Sequence, residues 1–294
     1  MKKFGKILLG ILVLFLILID LTIGFSLLAI VNIPRFIFPF KSLKIYLSKV
    51  SNTLGEWTVY GVRLIMKYCH RDSLEVICDE EFDMDEWYIG MSNHLSWADI
   101  FVILVSANYR IPLTKFFMKR ELWWIPFIFL ANKTLNMPFV YRHSRKEIEK
   151  NPELRNKDYE TTLHACKRFL RSPSTIFSYA EGTRLTEEKY NLQKPKYKNL
   201  LNPKTGGMAT ALSTIPNINY LVDFSIIYKT HKRDSWSFLN GDMKDTKVII
   251  KKYKIPENLK NKNYLEDREY RVNFKNWIEK IWGEKDQTIT DLKF

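Results

Sequence analysis

The chain predicts an α/β fold, a central sheet flanked by helices, preceded by a hydrophobic helix and an amphipathic helix. Three observations lead there. Short, bounded apolar segments alternate with stretches of helical length along residues 74–179, as strands joined by packing helices do. Ahead of them, the apolar run from Ile7 to Val31 is long enough to cross a bilayer. The length, 294 residues, suits one α/β domain with an anchor and not two independent cores. The expected division is an anchor over 1–68 and the α/β domain over 69–294.

Taken in order, the run 7–31 would form a helix about 37 Å long, against a hydrocarbon core of about 30 Å. It is longer than a signal-peptide core and no small-residue cleavage site follows, which predicts a retained anchor. Its orientation stays open. Lys2, Lys3 and Lys6 precede it, but Arg35, Lys41, Lys44 and Lys49 make the other flank equally basic. Asp20 puts a carboxylate at mid-membrane depth, where charge is expensive. A simple span and a segment that dips into one leaflet and returns both accommodate these facts. Pro34 and Pro39 mark a break. From Phe40 to about Lys67, Leu43, Tyr46, Leu47, Val50 and Leu54 recur at near-helical spacing with lysines between, which predicts an interfacial amphipathic helix.

Leu74 to Cys78 reads as the first strand and Trp87 to Met91 as a buried second one that ends at His94. A helix follows from Trp97 to about Tyr109, then a strand over Leu113–Lys119, a helix over Leu122–Ala131 and a short strand over Met137–Tyr141. Asp158 to Arg171 is an amphipathic helix and Ser174 to Tyr179 a strand. Lys247 to Lys254 reads as an outer strand, and Phe274, Trp277, Ile281 and Trp282 mark one face of a last helix.

The net charge of +14 suits anionic partners. The chain has no zinc-ligand spacing and no aromatic strand motif of RNA binders, and its lysines are spread along it, so nucleic acid is not the expected partner. Cys69, Cys78 and Cys166 have no metal spacing, and an odd count argues against a disulfide framework. No metal site is expected.

Two stretches carry the chemistry. In Asn93-His94-Leu95-Ser96-Trp97-Ala98-Asp99, a strand-to-helix loop can fold Asp99 back onto one imidazole nitrogen of His94, leaving the other to take a proton. Spacing alone serves equally well for a loop histidine beside a helix-capping aspartate. Tyr179-Ala180-Glu181-Gly182-Thr183-Arg184 follows a strand as well, so both motifs lie beyond strand C-terminal ends, where open α/β sheets bind ligands. Here too, an arginine bridged across a turn is the plain alternative.

Asn-His-x-Ser-x-x-Asp followed by Glu-Gly-Thr-Arg resembles the glycerolipid (lysophospholipid) acyltransferase family. Lys119-Arg120-Glu121-Leu122 with Pro126 resembles the family's Lys-x-Glu-Leu-x-x-x-Pro segment, and Phe139-Val140-Tyr141-Arg142 its Phe-Ile-x-Arg block. The usual glycine three positions before that phenylalanine is Asn136, and the usual proline before Glu181 is Ala180. Pro203 to Met208 and Val222 to Tyr228 look most like the branch containing lysocardiolipin and lysophosphatidylinositol acyltransferases. The resemblance covers roughly residues 40 to 230.

The resemblance implies a two-helix membrane motif ahead of the core, and acyl transfer from acyl-CoA or acyl carrier protein to a lipid hydroxyl without a cofactor. His94 would be the base and Asp99 its orienting carboxylate. Arg184 and Arg142 would clamp the acceptor phosphate with guanidinium forks. Gly182 would let the backbone approach, Thr183 would donate a hydroxyl hydrogen bond, and Lys204 would meet a phosphate. Glu181 would either orient Arg184 or contact the acceptor. With no serine nucleophile elbow in the chain, no covalent acyl-enzyme is expected.

The expected reaction acylates the sn-2 hydroxyl of lysophosphatidic acid at a membrane, with the site on the cytoplasmic face of a bacterial inner membrane. Two alternatives stand beside it. One is remodelling of another lysophospholipid, such as lysophosphatidylglycerol or lysophosphatidylinositol. The other is a non-catalytic protein that binds anionic lipid, against which the oriented His94 speaks.

Overall fold

The computed structural model describes residues 3–71, 73–137, 139–140, 150–151, 153–260, 262, 264 and 266–292. Helix α1 (Lys3–Val31) is followed by the short α2 (Ile33–Ile37), which has a proline in its first turn, and by α3 (Lys41–His70). α1 is long and apolar enough to cross a membrane. It lies antiparallel against α3, with Gly24 meeting Thr58 and Asp20 meeting Gly61. A Cβ at Gly61 would stand 1.9 Å from Asp20 Oδ1, so the Asp20 carboxylate points into the helix pair, where only glycine leaves room for it. α3 buries a face of Leu47, Ser51, Gly55, Val59, Val62 and Met66, which shares only Leu47 with the stripe read from the sequence, where Tyr46 proves exposed.

A six-stranded sheet follows, in the order β1-β8-β7-β2-β6-β3. Its strands are β1 (Leu74–Ile77), β2 (Trp87–Ser92), β3 (Thr114–Phe116), β6 (Thr175–Tyr179), β7 (Ile218–Tyr228) and β8 (Thr246–Lys254). Neighbouring strands run parallel except β7 with β8. β4 (Met118–Lys119) and β5 (Phe139–Val140) form a separate parallel pair. The helices are α4 (Asp99–Ala107), α5 (Pro126–Thr134), α6 (Glu153–Cys166), α7 (Glu187–Gln193), α8 (Gly206–Thr214), α9 (Ser235–Leu239) and α10 (Arg268–Leu292).

Each face of the sheet carries its own core. Ile89, Met91 and Ile176 pack with Met208, Leu212, Phe274, Ile278 and Trp282 from α8 and α10. On the opposite face Tyr88, Phe177 and Phe224 pack with Val102 and Ile103 of α4 and with Val13, Ile17, Val62 and Met66 of α1 and α3. A strand covered on both faces reads as a continuous apolar run, as Trp87–Met91 does. The N-terminal helices share this core, and Leu28 joins a smaller cluster with Leu113, Ala131 and Leu135.

The elements depart from the sequence expectation in several places. The helix read over Asp158–Arg171 runs instead over Glu153–Cys166, with Phe169–Arg171 a separate 3₁₀ turn. The single strand over 113–119 breaks at Phe117, whose ring packs edge-on to Phe169 at 6.0 Å, and the chain beyond joins β5 instead of the main sheet. The helix expected from Leu122 begins at Pro126, because proline suits a first turn while Arg120–Leu122 form a 3₁₀ turn. β8 is not an outer strand. It lies between β7 and β1, and β1 takes the edge. The aromatic face of α10 belongs to the core, since Phe274 and Trp282 are fully buried. Cys69, Cys78 and Cys166 are free thiols, and Cys166 is fully buried as a small apolar side chain.

Candidate active site

β2 lies between β6 and β7 and runs parallel to both, so the C-terminal ends of the three strands meet on one side. Ser92 is level with Tyr179 on β6 and with Phe224 on β7. The register brings the two motifs together although they lie 87 positions apart in the chain, and His94 N–H donates to Glu181 Oε2 at 3.1 Å. The strand ends at Ser92, two residues before His94. Asn93 anchors the exit: its amide donates to Ile226 O and accepts from Ile226 N, both at 2.9 Å, in place of a backbone pair with β7.

Asp99 opens α4, where the positive end of the helix dipole favours a carboxylate. Its side chain is wholly buried and fully partnered. Oδ2 accepts from Leu95 N at 2.6 Å, Ser96 N at 2.9 Å and His94 Nδ1 at 2.8 Å. Oδ1 accepts from the Tyr228 hydroxyl at 2.6 Å. Four donors on one buried carboxylate hold an anion in place without a cationic side chain. The imidazole stacks on the Tyr179 ring, with centroids 4.0 Å apart and planes 13° apart. Nδ1 therefore faces Asp99, and Nε2 is left on a side chain that stays 20% exposed.

Glu181 is fully buried, and its oxygens accept from the backbone N–H groups of His94 and, at 3.2 Å, Leu201. It ties the His94 loop to the segment that enters α8. Beneath it, Lys285 from α10 donates to Asp223 Oδ1 at 2.8 Å and to Phe224 O at 2.7 Å, a buried ion pair on β7. Burial pushes the Glu181 carboxyl up to about 8, with Asp99 adding to the rise, against the two N–H donors and Lys285.

A carboxyl raised in the fold above its unfolded value of about 4.3 favours the folded state most at low pH. That contribution is present below the unfolded pKa and is lost as pH rises through about 8. Unfolding measurements on wild type and Glu181→Gln should thus diverge, with wild type losing stability relative to the variant between about pH 4.3 and 8. A stability difference that does not change with pH would contradict this origin for the proton.

Gly182 adopts φ +66°, and a Cβ there would stand 2.9 Å from Lys204 Cδ. Both the left-handed backbone and the close side chain call for glycine. Lys204 is thereby laid across the turn, its N–H donating to Ala180 O at 2.6 Å. Thr183 Oγ1 accepts from Lys189 Nζ at 2.7 Å, which leaves the hydroxyl proton to donate outward. Arg184 is exposed, with its guanidinium 4.9 Å from the ring centroid of Trp97, itself 61% exposed. Leu185 N–H donates to His94 O at 2.8 Å, so Arg184 stands at the same mouth as the histidine. Arg142 lies outside the described residues.

Both departures from the family pattern have a structural reason. Asn136 keeps a left-handed backbone, φ 59°, as asparagine does better than most side chains. Ala180 has an N–H that proline lacks, and it donates to Ser92 O at 3.1 Å. Sequence reasoning missed Tyr179 and Tyr228. Tyr179 ends a strand 80 positions from Asp99 in the chain, and Tyr228 ends an apolar strand with nothing in its spacing to tie it to Asp99.

An oriented imidazole and a guanidinium thus meet at the C-terminal ends of parallel strands, the place where open α/β sheets bind ligands. This chain is a member of the acyltransferase family, whose profile, described as "Acyltransferase", matches residues 73–229, more than half of its length. Among curated relatives, 2-acyl-1-lysophosphatidylinositol acyltransferase of Saccharomyces cerevisiae is 25% identical over 239 residues, 71% of this chain and 59% of that protein. An uncharacterized acyltransferase of the same yeast is 26% identical over 230 residues, 70% of this chain and 54% of the relative. The chain thus spans less than two thirds of the length of either. Among solved structures, the 1-acyl-sn-glycerophosphate (LPA) acyltransferase from Thermotoga maritima shares the fold, with a TM-score of 0.55 at 16% identity, covering 100% of this chain and 99% of that one.

Proposed function

We propose that the chain transfers a fatty acyl group from a thioester, acyl-CoA or acyl carrier protein, to the sn-2 hydroxyl of lysophosphatidic acid, giving phosphatidic acid. The observation that carries this reading is the His94–Asp99 pair at 2.8 Å, with Arg184 at the same mouth. His94 Nε2 takes the hydroxyl proton as the oxygen attacks the thioester carbonyl, and the resulting imidazolium is stabilised by Asp99. The tetrahedral intermediate then expels the thiolate, which recovers the proton from His94. Arg184 grips the acceptor phosphate, its side chain stiffened by stacking on Trp97. Lys204 and the Thr183 hydroxyl lie at the same turn and would add donors to that phosphate.

A membrane setting is part of this proposal, with the reaction on the cytoplasmic face of a bacterial inner membrane. It is supported by α1 and by the exposed Phe36, Ile37, Phe38 and Phe40 beside it, a patch that water solvates poorly. A second reading, acylation of another lysophospholipid, is favoured by the similarity to a lysophosphatidylinositol acyltransferase. Mass spectrometry of the products from a mixed panel of lysolipids and acyl donors separates the two. Phosphatidic acid should dominate; a predominant diacyl phosphatidylinositol or phosphatidylglycerol would transfer the assignment to the second reading.

Replacing Arg184 by lysine should raise the acceptor KM about tenfold, through loss of one charge-assisted hydrogen bond. The donor KM should change little. An unchanged acceptor KM would remove Arg184 from the phosphate.

A further inference from the structure

The structure holds a second concentration of positive charge that the reaction above does not use. Lys115, in the middle of β3, is fully buried, and among the described residues its Nζ has no hydrogen-bond partner. Two guanidiniums bear on it electrostatically, those of Arg35 on α2 and Arg171 in the turn after α6, and Arg168 bears on both of these. Arg35 is itself buried, at 9% exposure.

Among the described residues, every hydrogen-bond partner of Arg35 and Arg171 is neutral. Arg35 Nη1 donates to Thr134 O at 3.3 Å and to Asn32 Oδ1 at 3.5 Å. Arg35 Nη2 and Arg171 Nη1 converge on the single Oδ1 of Asn136, the latter at 2.9 Å. Among the described residues no carboxylate pairs with Lys115, Arg35 or Arg171. Burial lowers Lys115 to about 7 and Arg35 to about 10, the direction expected of cations held without an anion.

Buried cations need a counter-charge, and one amide oxygen is a weak substitute. Two planar forks converge on one oxygen from two elements, and the buried ammonium of Lys115 on β3 lies within their electrostatic reach. Such an arrangement fits a tetrahedral oxyanion with several acceptor oxygens better than a planar carboxylate. Side chains alternate along a strand, so Lys115 lies on the face of β3 opposite Phe116, whose ring reaches Tyr179 at 6.0 Å. The cluster is therefore on the other side of the sheet edge from the His94–Tyr179 stack. Arg35 stands only four positions past the end of α1.

We propose that Arg35, Lys115 and Arg171 form a phosphate-binding site where the anchor helices meet the edge of the sheet, separate from the acceptor clamp at Arg184. The phosphate is that of a lipid headgroup or free inorganic phosphate. Either one would tie α2 to β3 and to the turn after α6, coupling the seating of the N-terminal helices to ligand.

The test uses the full chain in an Arg184→Ala background, so that phosphate at the catalytic mouth does not contribute. Inorganic phosphate added to protein in an uncharged detergent should raise Tm by several degrees, saturably. The rise should vanish in Arg184→Ala/Lys115→Met and in Arg184→Ala/Arg171→Gln. Without phosphate, Lys115→Met should melt no lower than its background, because it removes an uncompensated buried ammonium. Should the methionine variant not fold, the half-buried Arg171→Gln decides the matter alone.

A second arm compares bilayer discs of phosphatidylcholine with discs that also contain phosphatidic acid. A lipid source predicts that phosphatidic acid raises Tm in the Lys115-containing protein and leaves added phosphate without further effect. A soluble source predicts an equal phosphate-induced rise in both discs. No rise from either ligand, or a rise undiminished in both double variants, overturns the proposal.

Discussion

His94→Ala is expected to lower turnover by about 10²–10⁴-fold, the usual contribution of a general base, while the protein stays folded. The folding half of the expectation follows from where the imidazole sits. Its side chain is partly exposed, and it makes one side-chain hydrogen bond and one ring stack. The backbone of the loop is held independently, through Asn93 on β7 and through Glu181 on the His94 N–H. An alanine at 94 leaves both anchors in place, so the thermal transition should move by a few degrees at most while acyl transfer collapses. Thioester consumption and acylated product, measured together, separate transfer from hydrolysis. Turnover within a few-fold of wild type, in a protein with an unchanged melting curve, would remove His94 from the chemistry.

The second large effect is expected from Asp99→Asn, a drop in kcat on the order of 10³–10⁴-fold with little change in either KM. The carboxylate accepts from two backbone N–H groups, the imidazole and a tyrosine hydroxyl. An asparagine oxygen at the Oδ2 position keeps the three donors there, and the amide then donates to Tyr228, whose hydroxyl turns to accept. The loop therefore survives. What is lost is the negative charge against which the imidazolium forms when His94 holds the proton, and that charge sits where no water screens it. Tyr228→Phe gives a graded control. It removes one donor and keeps the charge, so its kcat should fall far less, by about tenfold. If Tyr228→Phe were as damaging as Asp99→Asn, the effect would lie in the orientation of the carboxylate and not in its charge.

The parts of the site that sequence made legible are those set by neighbours in the chain. Five positions separate His94 from Asp99 across one strand-to-helix turn, and a turn of that length allows few ways to place the two side chains. The apolar run Trp87–Met91 and the short strand before Glu181 announced themselves by length and boundaries, and both formed.

Strand order is another matter. β8 carries four lysines and reads as an outer strand, yet it lies inside the sheet, where Asp223 on β7 is opposite Lys251 on β8 and the edge falls to β1. Periodicity records that a strand has two different faces; it carries no information about which strands flank it. Glu181 shows the same limit in a side chain. Its place beside Arg184 suggested a partner across the turn or a ligand, whereas the fold turns it inward onto two backbone N–H groups.

By itself, then, the order of residues indicated most of the strands and helices up to Tyr179, the apolar N-terminal helix, and that one imidazole could meet one carboxylate. Each depends on contacts a few positions apart, where chain connectivity leaves little freedom. Tertiary structure alone decided what surrounds that pair: the tyrosine 129 positions away that completes the Asp99 shell, the lysine of α10 beneath Glu181, and the cations gathered at Lys115. Those meetings depend on the register of parallel strands and on which helix covers which face of the sheet, choices made by burial across the whole chain and written in no single segment.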